Sequence, residues 1–424
     1  MTVKGQLQPL ADPNDVAREN YTIFTAVTLA YTGFSTSFPF IAVFLLQVKG
    51  VPVTQVGIIY LASGVLGIAG QIVGGRLSDV LGTKTLTVIG LSVSTVFYAL
   101  LALFVVEDSP VFLYMISYPV LSLFNNLSQL ALSSHVSDRQ KGQMASGMSL
   151  LYVGVNLGFT IGPVSGGFLI AYYGYSSIFV FGAVVTLVSA VVALMKIKIN
   201  PKYALRFKDD KRPGKFSLGL ERGLFPFFVL IFISWLAIGY QAIPLSVFES
   251  QFLSLSSVKI GIVLTTNGLL ITVLQVPISR AMGIERRMRL FPIALGSVLM
   301  AAGFVAIGRA DGLIPLLIAI TLTTLGEIMV AVPTQVVATL FSREHNRGRY
   351  QGFYFAFSRA GISLSSYIGP LLFGLLISRA FLGWYVIAAV SLISALGYYA
   401  LSPVIEKEYN TINSGADIQG PSRK

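Results

Sequence analysis

Twelve times along this chain a run of roughly 20 or more mostly apolar residues ends at a short charged or Pro/Gly break, and each run is long enough to cross the hydrocarbon core of a bilayer as a helix. The runs lie near 21–46, 54–76, 85–106, 110–135, 143–171 and 176–195, then near 224–250, 257–279, 289–308, 313–341, 350–378 and 381–402. Backbone polar groups in lipid must be satisfied within the spanning segment, so the pattern predicts an all-α membrane protein with twelve transmembrane helices. With 54% hydrophobic and 11% charged residues, the chain is too apolar for a soluble globule.

Twelve spans put both ends of the chain on one face, and the basic residues indicate which. Of 30 Lys and Arg, 25 fall in the tails and loops of that face; Lys49, Lys259, Arg309 and Arg379 fall on the other, and Arg359 lies inside a span. This asymmetry predicts a multi-pass protein of the cell (plasma) membrane with both termini cytoplasmic. The net charge of +12 is thus explained by topology, and no nucleic-acid partner is expected. The first 20 residues mix Asp12, Asp15 and Glu19 with Lys4 and Arg18 and show no cleavage pattern, so the first span is expected to be retained. Cysteine is absent, and His135 and His345 fall at ends of apolar runs; neither a metal site nor enzyme activity is expected. Gly214-Lys215 is followed by Phe216, which breaks the nucleotide-loop pattern, so ATP is not the expected energy source and no cofactor is implied.

The spans divide into an N-tail (1–20), a first six-helix bundle (21–195), a basic linker (196–222), a second bundle (223–402) and a C-tail (403–424). The linker carries Lys202, Arg206, Lys208, Lys211, Arg212 and Lys215 and reads as a topogenic connector, with recruitment of anionic lipid as the alternative. The halves repeat: Val56-Gly57 to Gln71 overlays Ile260-Gly261 to Gln275 at a constant offset, and Lys141-Gly142 corresponds to Arg347-Gly348. Two pseudo-symmetric six-helix bundles are the economical interpretation.

Between spans two and three stands Gly75-Arg76-Leu77-Ser78-Asp79-Val80-Leu81-Gly82-Thr83-Lys84, read as a tight charged turn at the membrane surface. It resembles the signature loop of the major facilitator superfamily, with Val80 where a basic residue commonly follows the Asp. The corresponding stretch of the second half, Ser279 to Arg287, keeps the glycine and the basic end but lacks the Asp. Span five contains Gly158-x3-Gly162-Pro163-x2-Gly166-Gly167, echoed by Gly369-Pro370-x3-Gly374. Small residues at this spacing permit close packing and the proline a bend. The motif is similar to the antiporter motif of the drug:proton antiporter branch, and Gly326-Glu327, Pro333 and Arg347-Gly348-Arg349-Tyr350-x-Gly352 resemble the second half of such exporters.

The resemblance implies the major facilitator fold and a secondary transporter alternating between its halves, with proton-coupled efflux of amphipathic organic compounds as the leading expectation. It implies a small-molecule substrate, protons or another coupling ion, membrane lipids and a monomeric state. It also implies that Gly75, Arg76, Asp79, Gly82 and Lys84 form a gate, locking the outward-facing state against the N-terminus of span eleven, and that spans one, four, seven and ten line the cavity. Many proton-coupled relatives carry an arginine midway along span four, where this chain has Ser122-Leu123-Phe124-Asn125-Asn126-Leu127-Ser128-Gln129; proton coupling here must use other residues.

Polar residues at mid-span are the functional candidates, because an unsatisfied polar group in hydrocarbon is costly and so faces a cavity or a partner. In span ten, Thr324, Glu327, Ala331 and Thr334 share one stripe, and Glu327 reads as the only acidic residue well inside any span. A carboxyl at that depth can exchange a proton as a cavity opens or a cation approaches; the alternative is a packing hydrogen bond. In span eleven, Gly352, Phe355, Arg359, Ser363 and Ser366 form a second stripe. At 1.5 Å per residue Arg359 lies roughly 14 Å deep and Glu327 roughly 21 Å, so the two could pair, or Arg359 could snorkel to the surface. Both are proton-coupling candidates. Asn126 and Gln129 in span four, Tyr152 and Asn156 in span five, and Asn267 in span eight read as pocket residues or as interhelical glue. Tyr31, Phe34 and Phe38 in span one, Tyr240 and Gln241 in span seven, and Phe355 would suit a flat or lipophilic cation. The alternative function is an importer or facilitator of a small polar solute such as a sugar or carboxylate; a receptor or scaffold would be expected to carry longer loops.

Overall fold

The computed structural model describes residues 13–137, 141–197, 224–283, 289–341 and 347–417, and among them every expected span is helical. Span one is α1 (Pro13–Ser37) followed by α2 (Phe40–Gln47). Then come α3 (Val53–Leu81), α4 (Thr83–Val106), α5 (Val111–Ser137), α6 (Lys141–Tyr173) and α7 (Ser176–Lys196). Span seven is α8 (Phe225–Gly239) plus α9 (Ile243–Gln251), and spans eight to twelve are α10 (Ser257–Met282), α11 (Phe291–Gly308), α12 (Leu313–Leu340), α13 (Arg347–Leu375) and α14 (Phe381–Asp417). Eleven of the twelve spans are long and apolar enough to cross a membrane by themselves. The other, α13, is 29 residues long but carries Arg359 and a row of serines, and it packs between α3 and α8.

The two halves are built alike. In the first, α1 packs on α6 and α7, α3 on α5, and α4 on α5 and α7; in the second, α8 packs on α13 and α14, α10 on α12, and α11 on α12 and α14. The halves meet along α3/α13, α6/α10 and α2/α9. Glycines allow the first two contacts: a Cβ on Gly57 would strike the Tyr367 backbone, and one on Gly261 would strike Pro163 and Val164.

Prolines open two helical ladders, and a hydroxyl from a neighbouring helix closes each. At Pro39 the Tyr60 hydroxyl donates to Phe38 O (2.7 Å) and accepts from Ala42 N (3.0 Å), joining α1 to α2. At Pro163 the Thr265 hydroxyl donates to Thr160 O (2.9 Å) and accepts from Val164 N (3.2 Å). A proline lacks the N–H that would continue the ladder, and the polar groups it frees need a partner in an apolar surrounding.

One expectation is corrected. The 75–84 stretch is not a turn throughout: α3 continues to Leu81 and the reversal is made at Gly82 alone, whose φ of 82° favours glycine. The tails placed at 1–20 and 403–424 are partly helical, since α1 begins at Pro13 and α14 runs to Asp417. Helices need no lipid to continue past it, and apolarity sets only a minimum length. The basic linker lies almost wholly outside the described residues.

Candidate functional site

Glu327 projects from α12 toward the first residues after α8. Its Oε2 accepts from Gln241 Nε2 at 3.0 Å and from Asn267 Nδ2 of α10 at 3.1 Å, and Asn267 also donates to Thr324 Oγ1 at 2.9 Å. Gln241 reaches this position because span seven breaks between Gly239 and Ile243, with Pro244 opening the next helix. Three spans are thereby tied at one carboxyl. The carboxyl is held by neutral amides, and among the described residues it has no ion pair.

The expected Glu327–Arg359 pair is accordingly not formed. Because α13 lies between α3 and α8, Arg359 emerges beside α1, within electrostatic reach of the Tyr31 side chain across the two halves. It does not neutralise Glu327. Acid and base thus stand apart, each with a neutral partner.

The aromatic residues of span one form a wall that extends into α6. Tyr31, Phe34 and Phe38 are all partly exposed; Phe34 and Phe38 lie 4.9 Å apart, and Phe159 of α6 joins Tyr31 at 5.5 Å and Phe34 at 6.2 Å. Tyr152, 46% exposed, lies within electrostatic reach of Glu327 from the other half, and Asn156 bonds back to Tyr152 O at 2.9 Å. Phe355 is 49% exposed and packs edge-on against Tyr354.

Other candidates lie elsewhere. Asn126 accepts from Gln71 at 3.2 Å and donates to Ser122 O at 2.8 Å, so it ties α3 to α5. Gln129 is half-buried and makes no hydrogen bond among the described residues. Tyr240, 1% exposed, is corrected from cavity to core: it stacks edge-on against Phe373 and Trp384, because the break in span seven turns it away from Gln241. Of the span-eleven stripe, Ser363 packs against Gly64 of α3 and Ser366 is buried. Gly158, Gly162 and Gly166 seat α6 on Tyr31, Ser35, Thr36 and Phe40 of span one, with Ser35 Oγ donating to Gly158 O at 2.8 Å; Gly167 seats it on Ser257 and Val258 of α10. The side chains of Arg76 and Asp79 lie outside the described residues; Gly75 is helical, and Lys84 is half-buried at the start of α4. Next to Gly82, Thr83 meets His135 Nδ1 at 2.9 Å, and His135 Nε2 meets Glu19 at 2.9 Å, linking α4, α5 and α1 behind the motif.

The glycine approaches and hydrogen bonds that join the halves run from the membrane middle outward, away from the face of the chain ends. They include Gly64–Ser363, Thr160–Thr265, Gly167–Ser257, Gly374–Thr54 and Gln47–Ser250. Toward the chain ends, the nearest neighbours of Gly67, Gly70 and Gly74 of α3 are all on α5 of their own half. Among the described residues these contacts leave a cleft beside Glu327, Arg359 and the aromatic wall on the side of the chain ends. Phe159 and Thr265 could have been read from sequence: Phe159 follows Gly158, and Thr265 shares an inward-facing spacing with Gly261 and Gly268. Glu249, in the last residues of span seven, is fully buried.

The sequence profile of the Major Facilitator Superfamily matches residues 23–366. The chain is 23% identical over 368 residues to an uncharacterized MFS-type transporter, YqjV, of Bacillus subtilis (strain 168), covering 84% of this chain and 87% of that one. It is also 23% identical over 362 residues to an uncharacterized MFS-type transporter, MJ1560, of Methanocaldococcus jannaschii, covering 84% and 89%. In structure it resembles a peptide transporter POT in complex with sulfate, with a TM-score of 0.74 at 17% identity over 95% of this chain and 97% of that one. It also resembles the human organic anion transporter MFSD10 (TETRAN), with a TM-score of 0.65 at 17% identity over 91% and 100%.

Proposed function

Since the chain belongs to the major facilitator superfamily and is a membrane transporter, we propose that it works by alternating access as a proton-coupled exporter of amphipathic organic compounds carrying a positive charge. One observation carries this reading: Glu327 lines the cleft with only amide donors for partners, within electrostatic reach of Tyr152 on α6, the helix whose Phe159 completes the aromatic wall of Tyr31, Phe34 and Phe38. A carboxyl so placed can hold either a proton or the charge of a cationic guest, and competition between the two couples their movements. Aromatic faces supply the rest of the affinity for a flat cation. The protein lies in the cell membrane as a monomer with both termini cytoplasmic, so the cleft described above faces the cytoplasm, as loading of an exported compound requires. The Gly75–Lys84 motif serves as the gate on that face.

A second reading follows from Arg359. A cleft holding an acid and a base that do not pair fits a substrate with both charges, and the structural neighbours named as peptide transporters are in keeping with a zwitterionic solute. Reconstitution into vesicles distinguishes the readings. Expulsion or accumulation of lipophilic cations on an imposed pH gradient supports the first, transport of zwitterions alone supports the second, and transport insensitive to any ion gradient would exclude coupling.

A further inference from the structure

Span seven contains a second carboxyl, Glu249, on the short helix α9 beyond the break at Tyr240–Ala242. It is 0% exposed, and neither of its side-chain oxygens has a hydrogen-bond partner among the described residues. The helix α9 packs on α2 of the opposite half, on α13 and on α10, and Phe248 joins it to α14 through Trp384. Charged and titratable groups on those elements do not reach Glu249. The helix α2 has none, and Lys49 just after it is bound to Asp108 and to Ser109 O. Lys259 opens α10, Tyr367 and Arg359 lie on α13, Tyr240 precedes α9, and Tyr385 on α14 accepts from Arg309 at 3.3 Å. None of them forms an ion pair or hydrogen bond with the carboxyl.

An ionised carboxylate cannot persist in such a place without a partner, whereas the neutral acid can. The neighbouring residue marks what would change this: Ser250 O accepts from Gln47 Nε2 of α2 at 3.4 Å, so Glu249 sits beside the seam where the two halves close the face away from the chain ends. Alternating access requires that seam to part. We propose that Glu249 is a second proton site, distinct from Glu327, that holds a proton while the α2/α9 seam is closed and releases it to water on that face when the seam opens. The sign follows from linkage: the closed seam binds one more proton than the open seam, so rising pH favours opening and falling pH favours closure. The site rests on the alternating-access part of the proposed function and is independent of any substrate.

The test measures the seam directly. The chain has no cysteine, so Tyr173→Cys and Ile377→Cys, both exposed near that face, allow a pair of spin labels in the otherwise native protein in lipid nanodiscs. The expected result is a population of the longer distance that grows with pH in this background and in Glu327→Gln, but that stays closed and independent of pH in Glu249→Gln. The same pH response in Glu249→Gln would overturn the proposal. If that variant does not fold, Glu249→Met and the infrared carbonyl band of a protonated acid in the parent protein decide. A parent protein with no pH response of the distance, or with no protonated-acid band at neutral pH, also overturns it. Failure of every transport assay with an intact pH response would leave the site standing and sink only the exporter reading.

Discussion

Thr265, on the second half of the molecule, places its hydroxyl 3.2 Å from the backbone nitrogen of Val164 on the first half and accepts its hydrogen. The same hydroxyl donates to Thr160 O at 2.9 Å, replacing the ladder bond that α6 loses beside Pro163. The bridge exists only while α6 and α10 stay together. Thr265→Val keeps the shape and removes it, stranding two backbone groups at a cost of about 1–3 kcal/mol in this state. The open-to-closed ratio read from the label distance across the far face should then rise by roughly tenfold for each 1.4 kcal/mol. Thr265→Ser should restore the parent distribution; an unchanged distribution in the Val variant would count against a locking role.

Glu327→Gln retains an oxygen able to accept from both Gln241 and Asn267, so the cleft geometry should survive with a stability change within about 1 kcal/mol. The variant cannot take up or release a proton. Vesicle measurements should therefore show loss of pH-driven transport with counterflow exchange preserved. Continued uphill transport on a pH gradient would remove Glu327 from the coupling scheme.

Arg359 discriminates between the two kinds of substrate. Under the cation reading, Arg359→Gln should leave the Kd of a lipophilic cation within about threefold, since no charge-assisted bond is lost. A fall of roughly tenfold or more in affinity, about 1.4 kcal/mol, would instead reveal an anionic group on the substrate and favour the zwitterion. Tyr31→Phe, which removes the hydroxyl that Arg359 reaches, should weaken binding by less than the Arg359 change in either case.

Gly57 meets the Tyr367 backbone at the α3/α13 seam, and any larger side chain must push the halves apart. Gly57→Val is expected to hold the far face open and to slow downhill transport. A cysteine introduced at Ser250, which is buried in the parent protein, should be alkylated several-fold faster by a membrane-impermeant reagent in this background. Equal rates would show that the seam absorbs the added methyl groups without opening.

The twelve spans, the duplication and the family were legible in the sequence, because the bilayer requires each segment to satisfy its own backbone and leaves a run of apolar residues wherever the chain crosses. Glu327 was legible for the same reason: a carboxyl in the middle of such a run is conspicuous. Its partners were not. That Gln241 bonds Glu327 while the adjacent Tyr240 enters the aromatic core depends on the break after Gly239, which changes side-chain direction in a way that helical spacing cannot anticipate.

Likewise Arg359 and Glu327 have compatible depths, and depth along the membrane normal is all that residue counting provides; the rotation of α13 between α3 and α8 decided that Arg359 meets Tyr31. The Gly75–Lys84 motif was recognisable by its residues, yet its shape was not, since only Gly82 leaves the helix and hydrogen bonds carry α3 through the charged positions before it. Glu249 stands near the end of span seven, and it is tertiary packing that buries it. Composition along the chain fixes which segments cross the membrane, whereas the environment of each polar group is set by which neighbouring helix turns which face toward it.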